Sequence, residues 1–282
     1  TATSGVTTAG GAATPRVWQF RTANTSGSGQ FVDSGQVFGA NESNEVRFGD
    51  LDGDGDLDTV HGGRLVWVND GSGVFADSGQ SLSGGEVELA DLHVDGDLDV
   101  VGFTAVWLND GNGTFTNTGQ NLLGGLSIDA GDLDGDGDLD IMQGVAYAGN
   151  RVWFNNGSGM FTNSGQSLGN SATEGLQFGD LDGDGDLDAF AANNGPDNRV
   201  WLNDGNGIFT DSMQALGGFR ASLGVELGDL DGDGDLDALV SNNNQQVASR
   251  IWLNDGGAVF TESGQVINGN SNNWTSQLGD LD

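Results

Sequence analysis

A nine-residue acidic segment that recurs at a near-constant distance is the strongest constraint on what this chain can fold into. Asp-Leu-Asp-Gly-Asp-Gly-Asp-Leu-Asp occurs intact from Asp50, Asp132, Asp180 and Asp229. An altered copy starts at Asp91 and a truncated one at Asp280. Successive starts are 41, 41, 48, 49 and 51 residues apart. A period of this length marks solenoids, propellers or arrays, whose units bury their apolar faces only by stacking on neighbours. Five carboxylates in nine residues also repel one another, so each unit must carry something that offsets the charge.

Two further landmarks keep the same beat. A Val-Trp or Ile-Trp pair ends at Trp18, Trp67, Trp107, Trp153, Trp201 and Trp252. A Phe-to-Gln hexapeptide follows each, at 31–36, 75–80, 115–120, 161–166, 209–214 and 260–265. One unit reads as four short strands: Val46–Phe48 into the acidic loop, Thr59–Val60 out of it, Leu65–Val68, and a fourth from Val74. Between the last two strands, Asn69-Asp-Gly is a hairpin signal, because these residues tolerate the positive φ that the turn needs. No segment shows sustained helical periodicity.

Four-stranded units of this length, repeated radially, make a β-propeller. The expected fold is therefore all-β, one six-bladed β-propeller domain over 1–282. Five internal blades span about 39–267, and 268–282 with 1–38 share a sixth that closes the ring. The Trp-bearing strands are apolar on both faces, which assigns their indoles to packing between blades. The 51 Gly against 2 Pro fit a chain of tight turns. The chain opens at Thr1 without an initiator Met, and we expect a processed or excised start.

In the acidic loop, position 1 is Asp50. Asp50, Asp52 and Asp54 can turn alternate side chains to one centre, Gly55 allows the sharp reversal, and Asp58 closes the shell. Asp56 offers its backbone carbonyl while its side chain faces out. The same assignment gives Asp132, Asp134, Asp136, Asp138 and Asp140; Asp180, Asp182, Asp184, Asp186 and Asp188; and Asp229, Asp231, Asp233, Asp235 and Asp237. Asp138, Asp186 and Asp235 again act through the carbonyl. Hard oxygen donors at this density suit Ca²⁺, which takes six to eight of them. An EF-hand needs flanking helices and a Glu at position 12; here that position holds His61, Gly102, Gln143, Ala191 or Val240. The altered copy, with Asp91, Asp95, Asp97 and Asp99, places His93 at position 3, and imidazole is a poor Ca²⁺ ligand. Four strong Ca²⁺ sites and one weaker one are expected, and none at Asp280.

These loops, with Phe48-Gly49, Phe178-Gly179 and Leu227-Gly228 before them, resemble the FG-GAP/VCBS repeat family found in integrin α-chain heads and in many secreted proteins. The likeness covers essentially the whole chain. The Gly-Ala-Pro signature of integrin repeats is missing, which brings the match closer to the VCBS-like branch. The resemblance implies a Ca²⁺-binding, extracellular module for adhesion or carbohydrate recognition, sometimes carried on a larger enzyme.

The formal charge of −34, from 42 acidic and 8 basic residues, stays strongly negative even with five divalent cations bound. It opposes nucleic acid and anionic membranes, and no apolar run reaches membrane-spanning length. Cysteine is absent, which excludes disulfide scaffolding and thiol chemistry. His61 and His93 are the two histidines, and no catalytic set can be assembled around them, so no enzyme is expected. The expected partner is a glycan or a cell-surface protein, met by a monomer. Its contacts should lie opposite the acidic loops, in connections such as 102–105, 143–150, 167–175, 191–198, 215–223 and 266–275. Phe103, Tyr147, Phe219 and Trp274 are the candidate aromatic platforms. The alternative is a structural spacer without a ligand, either a natural excerpt or a repeat-based design.

Overall fold

The computed structural model describes residues 33–38, 46–61, 65–83, 85–217, 221–243, 248–267 and 278. The chain divides into two compact units, Thr1–Asp33 and Ser34–Asp282; apart from Asp33, the first lies outside the described residues. The second contains five four-stranded antiparallel sheets and, among the described residues, no helix. Sheet 1 comprises β1 (Val46–Gly49), β2 (Asp58–His61), β3 (Leu65–Asn69) and β4 (Phe75–Ser81). Sheet 2 holds β5 (Val87–Ala90), β6 (Asp99–Gly102), β7 (Val106–Asn109) and β8 (Phe115–Asn117). Sheet 3 holds β9 (Ser127–Gly131), β10 (Asp140–Gly144), β11 (Arg151–Phe154) and β12 (Thr162–Asn163). Sheet 4 holds β13 (Ala172–Gly179), β14 (Asp188–Asn194), β15 (Arg199–Asn203) and β16 (Phe209–Asp211). Sheet 5 holds β17 (Ser222–Gly228), β18 (Asp237–Asn242), β19 (Ser249–Asn254) and β20 (Phe260–Ile267). Every sheet is a meander in chain order. The sixth blade expected from 268–282 and 1–38 lies outside the described residues, apart from 33–38 and Leu278.

Period-two alternation, with a sheet on either side, explains why the second strands are buried almost throughout. In β10, Ile141 enters the core shared with sheet 2 and Met142 the core shared with sheet 4. In β14, Ala189 faces sheet 3 and Phe190 faces sheet 5. Among the described residues there is thus no single centre of packing; a separate hydrophobic layer fills each gap between neighbouring sheets. Trp153, Trp201 and Trp252 sit in these layers, each 7% exposed, as expected for packing residues. First strands of successive sheets also pack on one another, β1 on β5, β5 on β9, β9 on β13 and β13 on β17.

Polar side chains bolt the sheets together. Gln80 Nε2 donates to Gly113 O at 2.6 Å, and its Oε1 accepts the Phe115 N–H at 2.9 Å. Gln120 does the same to Gly159 and Phe161, Gln166 to Gly207 and Phe209, and Gln214 to Ala258 and Phe260. Each glutamine ends one sheet's outer edge and satisfies the hairpin turn of the next. Gln36 makes the same pair of bonds to Gly73 and Phe75. Two residues on, Phe38 stacks edge-on against Trp67 and Phe75, each at 5.2 Å. Replacing Gln166 by Leu leaves the Gly207 carbonyl and the Phe209 N–H unpaired, a loss of about 1–3 kcal/mol for such groups. The expected result is a lower unfolding midpoint in urea with an unchanged slope.

A second polar system lines the first strands. Arg47, Glu88, Asp129, Gln177 and Glu226 occupy one register position, two residues before the end of each strand. Arg47 Nε donates to Glu88 at 3.0 Å, Asp129 accepts the Phe178 N–H at 2.7 Å, and Gln177 accepts the Leu227 N–H at 2.6 Å. Burial, with the Glu88 charge adding to it, pushes the Asp129 carboxyl up to about 7. Its folded pKa therefore exceeds the unfolded value of about 4, so stability is lost as pH rises from about 4 to 7. Asp129→Asn should raise Tm, and by more at pH 8 than at pH 5, in thermal melts of both proteins.

Candidate metal centre

Each acidic loop joins the first two strands of its sheet, and its geometry begins with the last aspartate. Asp58, Asp99, Asp140, Asp188 and Asp237 are fully buried. In each, one carboxylate oxygen accepts the N–H of the loop's second residue and the other accepts the N–H of the Asn at the end of the third strand or, for Asn155, just after it. For Asp58 these bonds run from Leu51 at 2.9 Å and Asn69 at 2.7 Å. For Asp188 they run from Leu181 at 3.1 Å and Asn203 at 2.8 Å. The Leu at the second position plugs the gap to the next sheet, with Leu51, Leu92, Leu133 and Leu181 all at most 1% exposed.

The remaining aspartates fold the loop around themselves. Asp50 accepts the Gly53 and Gly55 N–H groups at 2.9 and 3.0 Å, Asp52 that of Asp54 at 3.3 Å, and Asp54 that of Asp56 at 2.9 Å. This leaves carboxylate oxygens gathered within 4.8 Å of one another in four groups: Asp50, Asp52 and Asp58; Asp132, Asp134 and Asp136; Asp180, Asp182 and Asp188; Asp229, Asp231 and Asp237. Oxygens that share a Ca²⁺ at 2.3–2.6 Å can be at most about 5 Å apart, so the groups fit that ion. Positions 1 and 3 join every group. Position 9 joins three of them and position 5 one, through Asp136.

The side chain at position 7 does not point freely outward. Asp56 lies over Gly71 of the hairpin turn, where an added Cβ would run into its carboxylate. Asp97, Asp138, Asp186 and Asp235 cover Gly111, Gly157, Gly205 and Gly256 in the same way. A glycine is required there twice over, by this approach and by its positive φ.

The second copy is built differently. His93 Nδ1 lies 2.8 Å from Asp99 and Nε2 lies 2.8 Å from Asp95, so the ring bridges the carboxylates of its own loop. Asp91, His93 and Asp99 still form a group within 4.8 Å. Burial opposes the imidazole proton, but the Asp99 hydrogen bond and the charges of Asp99, Asp95 and Asp91 outweigh it and raise the His93 pKa. Val94 takes φ 57° where the intact first copy has Gly53 at 78°. A β-branched residue there costs roughly 1–2 kcal/mol.

The sequence reading missed the asparagines. Asn109 Nδ2 donates to Leu98 O in its own loop and to Leu51 O in the preceding one; Asn155, Asn203 and Asn254 repeat the pattern. Their recurrence after every Trp strand was the available signal, which the hairpin propensity of Asn-Asp-Gly masked. Of the aromatic platforms, Phe103 is half-buried against the core between sheets 2 and 3, and Tyr147 is 80% exposed. Phe219 and Trp274 lie outside the described residues.

Burial pushes the Asp140 and Asp188 carboxyls up to about 7 against the pull of their N–H partners, and neighbouring loop aspartates add to it. Their folded pKa lies above the unfolded one, so the native state holds more protons between about pH 4 and 7 and is destabilised as pH rises through that window. In EDTA, Tm should fall from pH 5 to pH 8, with the steepest loss complete just above pH 7. A melt series at constant ionic strength checks this.

Comparison with known proteins agrees with the repeat. No curated protein matches the sequence. Among solved structures, a similar chain is the V. cholerae biofilm matrix protein Bap1, 20% identical with a TM-score of 0.41, over 76% of this chain and 38% of that one. Residues 95–143, 144–191 and 180–240 match the FG-GAP-like repeat family. These matches run from within the second acidic loop into β18 and contain the loops from Asp132, Asp180 and Asp229 whole, and the chain belongs to the FG-GAP-like repeat family.

Proposed function

We propose that this chain is a calcium-stabilised, extracellular recognition module, non-catalytic, that binds a glycan or a surface protein. The observation that carries the reading is the gathering of ligating atoms within 4.8 Å in all five described loops. Asp50, Asp52 and Asp58, with their counterparts, would hold the ion. Bound Ca²⁺ supplies the positive charge that the loop lacks and ties the first two strands to the third through position 9. Loops of this type in extracellular modules commonly bind at about 10⁻⁴–10⁻³ M, a match to Ca²⁺ outside the cell. Among the described residues no helix is long and apolar enough to cross a membrane.

The same reading takes the fold as a six-bladed ring. Gln36 and Phe38 dock on sheet 1 as the end of a preceding unit would. Leu278 approaches Gly228 as Leu227 approaches Gly179. Leu57 and Phe48, each 59% exposed, occupy positions that are packed in later sheets. Arg47 on β1 acts electrostatically on Glu226 of β17.

Binding to the native state alone adds RT ln(1 + [L]/Kd) per site, about 1.4 kcal/mol at ten times Kd. Tm should therefore drop in EDTA and recover with millimolar Ca²⁺ but poorly with Mg²⁺, which demands stricter octahedral geometry. An unchanged melt in EDTA overturns the calcium reading. His93→Asp with Val94→Gly restores the consensus loop, and isothermal titration should then count one more Ca²⁺ per chain. A glycan array run in Ca²⁺ and again in EDTA tests recognition. Failure to bind, by protein shown to be folded, favours the spacer reading, to which the near-identical bonding of the five sheets points.

A further inference from the structure

Sheets 3 and 4 differ at one position that the other bonds make conspicuous. In sheet 3, Trp153 Nε1 donates to Gln143 Oε1 at 3.0 Å inside the core. Gln143 pairs with Arg151, and in sheet 4 the residue in that register, paired with Arg199, is Ala191. Alanine offers no acceptor, and the Nε1 of Trp201, a residue 7% exposed, is buried without a hydrogen-bond partner. A desolvated donor left unpaired is destabilising, and a ligand acceptor can recover that loss.

Trp201 lines a cavity of about 140 Å³ between these sheets, at the end opposite the acidic loops. The indole's Cζ2, on the side that also carries Nε1, faces Gly169, another lining residue, whose lack of a side chain keeps the wall open. The rim holds Asn170 and Ser171, whose side chains make no hydrogen bond among the described residues, with Arg199 and Asp211 beside them. Arg199 and Asp211 stand 3.9 Å apart, so their charges offset and select for neither sign. The volume is many times what one water needs and below the usual range for drug-sized ligands of roughly 300–1,000 Å³. An aromatic wall with an unpaired N–H buried behind it, which a small turn of the indole would bring to the cavity, together with amide and hydroxyl groups on the rim and local neutrality, fits one ring bearing hydroxyls.

We infer that this cavity is a binding site for a single neutral sugar residue, with the Trp201 N–H donating to a ring or hydroxyl oxygen. The inference rests on the glycan-recognition reading and gives it a place, in the connections 143–150, 167–175 and 191–198. The aromatic group that serves is Trp201, which the sequence assigned to packing alone.

The test is an indole N–H titration by ¹H–¹⁵N NMR on the full chain in millimolar Ca²⁺, with Trp201→Phe identifying the resonance. The probes are methyl glycosides of neutral hexoses and N-acetylhexosamines, up to tens of millimolar. A saturable shift of the Trp201 resonance with one class of glycoside is expected. Binding should weaken at least tenfold in Ala191→Gln, which rebuilds the sheet 3 acceptor, and in Asn170→Ala/Ser171→Ala, which alters only the rim. No shift, or a linear drift without saturation, overturns the site. Array binding that persists undiminished in Ala191→Gln overturns the site and leaves the recognition reading standing. No glycan binding by any assay overturns both.

Discussion

The structure depends on a carboxylate buried at the mouth of every sheet. Asp58 and its four counterparts are wholly removed from water, yet each spends both oxygens on backbone N–H groups from two different segments. A buried charge is tolerable only when hydrogen-bonded or paired. Those two bonds fix the start of the loop and the end of the third strand relative to the second. Once they are in place, the acidic loop has one shape, and the Leu at its second position can only point into the next gap. The feature that makes the chain electrostatically expensive is also the one that sets the register of each unit.

From that register the connections between units follow. The Asn whose N–H meets the buried carboxylate extends its own amide to carbonyls in two successive loops. At the far edge, the glutamines span to the neighbouring hairpin. Every gap between sheets therefore has an apolar layer and a directional polar tie on each side of it. Hydrophobic burial brings sheets together without specifying how they slide, whereas bonds of fixed length do specify it. Nearest-neighbour coupling of this kind is what gives repeat proteins their near-additive stability.

Much of this was legible in the residues. The landmarks placed the starts of the four strands of sheet 1 to within a residue or two, because alternation and turn chemistry are local. The gathering of loop positions 1, 3 and 9 was legible for the same reason, whereas of the position 5 candidates Asp54, Asp136, Asp184 and Asp233 only Asp136 joins a group. The glutamine and asparagine ties were not, since their partners lie 33–73 residues away and a polar residue in a turn already has a sufficient local explanation. The set at Arg47, Glu88, Asp129, Gln177 and Glu226 escaped because its members differ in kind and share only a register. The cavity at Trp201 was hidden by its cause: one alanine in a strand where alanine looks like ordinary core.

The second loop shows what the acidic cluster requires. There, one carboxylate has been exchanged for an imidazole that bridges Asp95 and Asp99, and the environment favours its proton. The surrounding frame is unchanged: Asp99 still accepts Leu92 and Asn109, and Asn155 still reaches back to Leu92 O. Exchanging an acid for a base removes one negative charge from the centre of the loop, the same sense of change that a cation would bring. The strained Val94 accompanies the exchange. That the same bonds persist with position 3 exchanged argues that the frame rests on the buried aspartate and its two N–H partners, and that position 3 is free to vary in charge around it.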